Sequence, residues 1–194
     1  MIKVGLTGGI GTGKSLVSDI LQKLGAHVIS GDSLGHEAYL PGTKGFDQVV
    51  SAFGNEIVGE DGFVDRKKLG PIVFSDPSNL EILNSIMHPL IYEMIKERIA
   101  NISDVSIVVV EAAVLIEANW QDLFDEIWVV TSDEEIVISR LAERNNLSRE
   151  DAISRIKSQM SQDERITHAH VEIDNSGTKS DLEQTVKDIW NNKL

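Results

Sequence analysis

A chain of 194 residues, 41% hydrophobic and 25% charged, has the length and composition of one globular domain able to bury a core. Eighteen basic against 31 acidic residues leave a formal charge of −13. That excludes sequence-independent nucleic-acid binding, which needs a broad basic face, but not a local pocket for a phosphorylated ligand. With no cysteine there is no disulfide framework and no thiolate metal site. No secretory leader is expected, because Met1–Gly5 runs straight into a strand, and the longest apolar run, 105–116, is broken by Ser106 and Glu111. These features predict a cytoplasmic protein with neither nucleic-acid nor membrane partners.

In chain order, residues 3–6 read as a buried strand. The run Gly8-Gly9-Ile10-Gly11-Thr12-Gly13-Lys14-Ser15 follows, matching G-x-x-x-x-G-K-[ST] in full. In that pattern backbone N–H groups cradle phosphates, the lysine reaches the outer phosphates and the hydroxyl binds Mg²⁺. Leu16, Val17, Ile20, Leu21 and Leu24 then recur at helical spacing, so strand, loop and helix occur in the order that nucleoside triphosphate binding requires.

A second strand is expected over 27–30, with Asp32 just past its carboxyl end, where open α/β sheets place ligands. Asp32 suits the carboxylate that orients and deprotonates an acceptor hydroxyl, and equally suits a helix cap. Residues 33–103 carry Pro41-Gly42, Asp61-Gly62, Gly70-Pro71, Asp76-Pro77 and His88-Pro89, which predict an inserted region of several short helices, with a junction at His88.

Further strands are expected over 107–110, 127–131 and 171–173. Glu111 ends the first of these as either a metal-facing acid or a paired carboxylate. Between the last two lies a mostly helical excursion, 133–168, with Ser148-Arg149-Glu150-Asp151 as a cap. A final helix over 180–191 opens on Ser180-Asp181-Leu182-Glu183, read as a capping box.

Of seven arginines, five fall between 140 and 165. Arg140 and Arg144 are four apart and share a helix face, and the planar guanidinium suits phosphate oxygens. Arg149, Arg155 and Arg165, beside Glu150, Asp151 and Glu164, fit a solvated face of i,i+4 pairs. The histidines and acids show no zinc spacing, and Trp120, Trp128 and Trp190 read as packing residues.

Together these features predict an α/β chain of one domain. Its core is 1–32, 104–132 and 169–194, interrupted by the insertion at 33–103 and a helical lid at 133–168.

Several motifs in order resemble the dephospho-coenzyme A kinase family over essentially the whole chain. Gly5-Leu6-Thr7-Gly8-Gly9-Ile10-Gly11-Thr12-Gly13-Lys14-Ser15 is close to its G-L-T-G-G-I-G-S-G-K-S/T. Leu83-Asn84-Ser85-Ile86-Met87-His88-Pro89-Leu90-Ile91 is similar to its L-N-x-I-x-H-P-x-I, and Ala113-Val114-Leu115-Ile116-Glu117 to its P-L-L-F-E. Gln159, Arg165 and Ile173-Asp174-Asn175 match its Q…R…V-I-x-N.

The resemblance implies a three-layer P-loop nucleoside-triphosphate-hydrolase-like fold, with a five-stranded parallel sheet, an acceptor-binding helical insertion and a helical lid. It implies transfer of the ATP γ-phosphate to the ribose 3′-hydroxyl of dephospho-CoA, by a monomer using Mg²⁺ on Ser15. Asp32, Lys14 and Arg140 fall on its catalytic positions. Gly9, Ile10, Gly11, Thr12, Gly13, Lys14, Ser15, Leu16, Arg140 and Asn175 fall on its ATP-binding positions, with Asn175 near adenine. Thr7, Asp32, Arg66, His88 and Glu117 fall on its acceptor side.

Ser30 stands where the family commonly has an acid, Gly35-His36 where it often has Ala-Arg, and Leu16 where it has a hydroxyl residue. The run 32–39 is more similar to the kinase half of animal bifunctional CoA synthase. The rival readings are a kinase for another small hydroxyl or phosphate acceptor and a non-catalytic nucleotide-binding regulator. A guanine-reading N-K-x-D is absent.

Overall fold

The computed structural model describes residues 1–193. The elements in order are β1 (Ile2–Gly8), α1 (Lys14–Leu24), β2 (His27–Ser30), α2 (Gly31–Ala38), α3 (Lys44–Phe53), α4 (Arg66–Ser75), α5 (Pro77–Ala100), β3 (Ile107–Glu111), β4 (Glu126–Thr131), α6 (Glu134–Asn145), α7 (Arg149–Lys157), α8 (Gln162–Ile166), β5 (Val171–Asp174) and α9 (Lys179–Lys193). They fall into two compact units, one made of residues 1–30 and 102 onward, the other of 31–101.

The first unit is built on a parallel sheet of order β2-β3-β1-β4-β5. A parallel sheet is covered on both faces, which is why its inner strands read as unbroken apolar runs. Ile107–Val110 of β3 and Ile127–Thr131 of β4 are buried throughout. On one face Val17, Ile20 and Leu21 of α1 join Leu182, Val186 and Trp190 of α9 in a core with Val4, Leu6, Val109, Trp128 and Ile173. On the other, Leu115 and Phe124 pack so closely over Gly5 that a Cβ there would lie 2.7 Å from each.

The register sets the chemistry: Leu6 lies opposite Glu111 across β1–β3, and Gly8 opposite Val130 across β1–β4. The carboxyl ends of three strands therefore surround the start of the glycine loop. A smaller apolar cluster, Val137, Ile138, Leu141 and Ala152 of α6 and α7, receives the Ile10 side chain from that loop.

In the second unit α2, α3 and α4 each pack on α5, whose Met87, Ile91, Ile95 and Ile99 form a buried stripe at a helical period. Here the proline reading needs correction. Asp76-Pro77 does start a helix, with Asp76 capping the Ser78 N–H at 2.9 Å. Pro71 and Pro89, however, lie inside α4 and α5, so His88 marks no junction. An interior proline removes one hydrogen bond and crowds the preceding turn. The buried stripe on both sides of Pro89 outweighs that cost.

The expected capping box of α9 also moves. Thr178 and Asp181 form it: Asp181 N–H donates to Thr178 Oγ1 at 3.2 Å and Thr178 N–H to Asp181 Oδ2 at 2.9 Å. The Ser148 cap of α7 forms on the Asp151 N–H at 3.1 Å. Among the described residues no helix is long and apolar enough to cross a membrane.

Candidate active site

The loop between β1 and α1 is shaped by glycines in backbone conformations that strain other residues. Gly11 and Gly13 have φ of 75° and 102°, a region that side chains rarely enter. A Cβ on Gly13 would also collide with the amide nitrogen of Asn175. Within the loop Thr12 Oγ1 donates to the Gly9 carbonyl at 3.0 Å. The Lys14 ammonium donates to the carbonyls of Gly8 and Gly9 at 2.9 and 3.0 Å, so its charge sits at the loop mouth. Leu16 turns its side chain into the sheet core and bonds its N–H to the Gly13 carbonyl at 3.0 Å.

Ser15, exposed at the start of α1, donates its hydroxyl to Glu111 Oε1 at 3.0 Å. Ser18, one turn on and buried, donates to Glu111 Oε2 at 3.1 Å. Glu111 is thus a paired carboxylate, with one oxygen on each of two hydroxyls. Mg²⁺ takes hard oxygen ligands and usually keeps several waters, needing only one or two protein oxygens beside substrate phosphates. A serine hydroxyl and a carboxylate 3.0 Å apart fit that requirement. Among the described residues no group of three or more His, Cys, Asp or Glu could hold a metal.

The back of the loop is braced by two residues. Asn175, buried just past β5, donates from Nδ2 to the Thr12 carbonyl at 2.7 Å. Its own carbonyl accepts from Arg140 Nη2 at 2.9 Å and from Ser132 Oγ at 3.1 Å. Arg140 also lies 3.4 Å from the Gly11 carbonyl and 3.5 Å from that of Thr12. Its guanidinium meets carbonyl and hydroxyl oxygens and no carboxylate among the described residues, so its charge is unneutralised beside the loop. Arg144, on the last turn of α6, instead reaches Asn145 at 3.0 Å in an exposed setting. Arg149 forms an exposed ion pair with Glu135, not with its helical neighbours.

Arg165 overturns the solvated-face reading. It is 1% exposed, and its guanidinium bonds Thr7 Oγ1 and the Ala113 carbonyl at 3.2 Å each, with Glu117 Oε1 at 2.7 Å. Thr7, fully buried, donates in turn to the Ala113 carbonyl at 3.3 Å. Thr7 and Glu117 are therefore joined by an arginine from α8, while Arg165 Nε has no partner. Only the short motif around it marked Arg165 in the sequence, because its partners lie 48 and 158 residues away.

Gln159 and Gln162 complete the loop's surroundings. Gln159 Oε1 accepts from the Ile10 N–H at 2.8 Å, and Gln162 Oε1 from the Ser132 N–H at 3.1 Å. A cavity of about 330 Å³ is lined by Gly9, Ile10 and Thr12 together with Gln159, Gln162 and Arg165.

The second unit carries Asp32, Arg66 and His88. Asp32 is exposed in the first turn of α2, where the helix dipole favours a carboxylate. Among the described residues it accepts no hydrogen bond, so it is not spent as a cap. Arg66, the first residue of α4, holds its guanidinium 5.7 Å from the centroid of the Tyr39 ring. Burial raises the Tyr39 hydroxyl above its ordinary pKa. His88 is half-buried on α5.

A parallel sheet of this order, a Gly-rich loop leading from its central strand into α1, and a lysine with a serine–carboxylate pair at the mouth define a P-loop phosphotransferase. The chain belongs to the dephospho-CoA kinase family, whose model matches residues 2–181. It is 45% identical over 189 residues to a dephospho-CoA kinase of Geobacter sulfurreducens, covering 96% of each chain. Among solved structures, a Thermus thermophilus protein superposes with a TM-score of 0.83 at 30% identity, covering 98% of this chain and 97% of that one. Dephospho-CoA kinase from Campylobacter jejuni gives 0.71 at 26% identity, covering 97% and 95%.

Proposed function

We propose that this protein transfers the γ-phosphate of ATP to the 3′-hydroxyl of dephospho-CoA, giving coenzyme A and ADP. The observation that carries the reading is the complete phosphate loop, with Ser15 bonded to Glu111 at 3.0 Å, in a chain that the family model spans from residue 2 to 181.

Phosphoryl transfer asks the protein mainly for positioning and charge stabilisation. With those of Ile10, Thr12 and Leu16 already bonded, the backbone N–H groups of Gly11, Gly13, Lys14 and Ser15 receive the phosphates, and Lys14 leaves the Gly8 and Gly9 carbonyls to meet the β- and γ-oxygens. Ser15, with Glu111 behind it, would hold Mg²⁺, which supplies further charge neutralisation when bound. Arg140, with no carboxylate to neutralise it, would exchange its bonds to the Asn175 and loop carbonyls for phosphate oxygens as the nucleotide binds. Asn175 keeps the loop in shape by gripping Thr12, and so serves the ATP site.

Asp32 takes the proton of the 3′-hydroxyl as the new oxygen–phosphorus bond forms and the bond to ADP breaks. Thr7 and Glu117, tied by Arg165, shape the acceptor side, and Arg66 and His88 of the helical insertion contribute to it. Residues 133–168 act as the lid that excludes water, since water is the competing acceptor.

A panel of acceptors tests the assignment. ATP and Mg²⁺ are offered with dephospho-CoA, adenosine monophosphate, adenosine and shikimate, and products are read by mass. Preferential phosphorylation of dephospho-CoA supports it. Preference for another acceptor, or ATP turnover with none, overturns it.

A further inference from the structure

Gln159 stands in a fixed relation to the phosphate loop that the roles above do not use. Its backbone is held at both sides: its N–H bonds to the Ile156 carbonyl at 3.2 Å, and Ser161, two residues on, caps α8. The Ile10 N–H donates to its side chain at 2.8 Å. Ile10 is anchored in turn, because its side chain packs into the α6–α7 cluster.

An N–H can be met only by the oxygen of a carboxamide, so the other end of the group, Nε2, is a donor. Among the described residues that donor has no partner. Gln159 lines the cavity beside Gly9, Ile10 and Thr12, and a Cβ on Gly9 would lie 3.9 Å from its Oε1. A neutral donor is thus clamped to the backbone of the loop that holds the phosphate chain. Donors fixed in advance where charge develops are the ones that lower a barrier most.

We infer that Gln159 is a further catalytic residue, whose Nε2 donates a hydrogen bond to a non-bridging oxygen of the transferring γ-phosphoryl group. The inference rests on the phosphoryl-transfer reading. In the step, the acceptor oxygen forms its bond to phosphorus, the bond from phosphorus to the β–γ bridging oxygen breaks and its electron pair leaves with ADP. The acceptor's proton passes to Asp32. Gln159 neither gains nor loses a proton; its hydrogen bond tightens as charge spreads over the equatorial oxygens.

Gln159→Glu separates this role from a mechanical one. A carboxylate still accepts from the Ile10 N–H but offers no donor and brings a negative charge. Gln159→Met removes both functions.

The protein is assayed with ATP, Mg²⁺ and dephospho-CoA, and its affinity is measured for ADP alone and for ADP with aluminium fluoride, which imitates the transferring group. Both variants should lose about 10²–10³-fold in kcat, the scale for removing one such donor. In Gln159→Met the KM for dephospho-CoA and the ADP affinity should stay near wild type while affinity for the ADP–aluminium fluoride pair falls by a similar factor; in Gln159→Glu the added charge weakens ADP as well, and the analogue by a further such factor.

Wild-type turnover in Gln159→Glu with a slow Gln159→Met would make the residue a latch and overturn the inference. Normal turnover in both variants, or equal loss of affinity for ADP and for the analogue, would overturn it as well. If wild-type protein fails to phosphorylate dephospho-CoA yet the analogue affinity responds as described, the acceptor assignment falls and Gln159 keeps its role.

Discussion

Ser15 and Glu111 lie 96 residues apart in the chain and are joined by a hydrogen bond of 3.0 Å. The β1–β3 register makes the pair, since Leu6 opposite Glu111 leaves the carboxylate level with the loop that follows β1. Ser18 holds the second oxygen of the same carboxylate at 3.1 Å, so the acid is aimed before any nucleotide arrives.

Glu111→Gln keeps the shape and one acceptor for the two serines but removes the charge. Groups that orient a metal ligand are typically worth about 10–100-fold in metal affinity. The Mg²⁺ concentration giving half-maximal activity should rise by that factor, with ADP binding in the absence of Mg²⁺ unchanged. A Mg²⁺ titration of kinase activity checks this; an unaltered midpoint removes Glu111 from the metal site.

Asp32→Asn should cost at most about 0.3–1 kcal/mol, the dipole contribution of a first-turn carboxylate, because the exposed side chain has no partner to lose among the described residues. A positioned general base is worth about 10²–10⁴-fold, and turnover should drop by that amount while ATP affinity holds. Steady-state kinetics beside calorimetric ATP binding measures both. Near-normal turnover would remove Asp32 as the base.

Arg140→Ala deletes the donor that meets the Asn175 carbonyl at 2.9 Å and lies near those of Gly11 and Thr12. Hydrogen bonds from charged groups contribute about 1.5–3 kcal/mol, and urea unfolding should show a loss on that scale. Turnover should fall further than ADP affinity does. Unchanged kinetics would mean that Arg140 only braces the loop.

The Glu126 carboxylate gives a pH prediction away from the site. Burial pushes its pKa up, but hydrogen bonds from Lys193 and Trp128 outweigh that and hold it below the usual carboxylate range. A depressed folded pKa stabilises the protein at neutral pH, and the contribution is lost as pH falls through that value. Glu126→Gln can still accept from the buried Trp128 N–H. At pH 7 it should cost about 1 kcal/mol, or about 2–4 °C in Tm. The gap from wild type should close in melts run at progressively acid pH; a gap constant with pH would contradict the ionic account.

The sheet was legible because parallel strands covered on both faces must be apolar through their buried length, and 107–110 and 127–130 are. The glycine loop was legible because its constraints are local, as φ at Gly11 and Gly13 shows. Pro71 and Pro89 misled because local punctuation was weighed without the buried face of α5. The α9 cap slipped by two residues because Thr178 and Ser180 each have an acid three positions on. Arg165 looked like one more surface charge because burial depends on partners in β1 and after β3 that its neighbours do not announce. Resemblance alone marked Asn175 for the ATP site, because its bond to Thr12 follows from where β5 ends beside β4.

The most direct measurement of the central claim compares dephospho-CoA with its 3′-deoxy analogue. Each is incubated with the protein, ATP and Mg²⁺ while ADP release is followed and the acceptor is weighed by mass spectrometry. The account predicts one phosphoryl group added to dephospho-CoA, matched mole for mole by ADP, and none added to the 3′-deoxy compound. Phosphorylation of the 3′-deoxy analogue, or ADP released while dephospho-CoA stays unmodified, would contradict it.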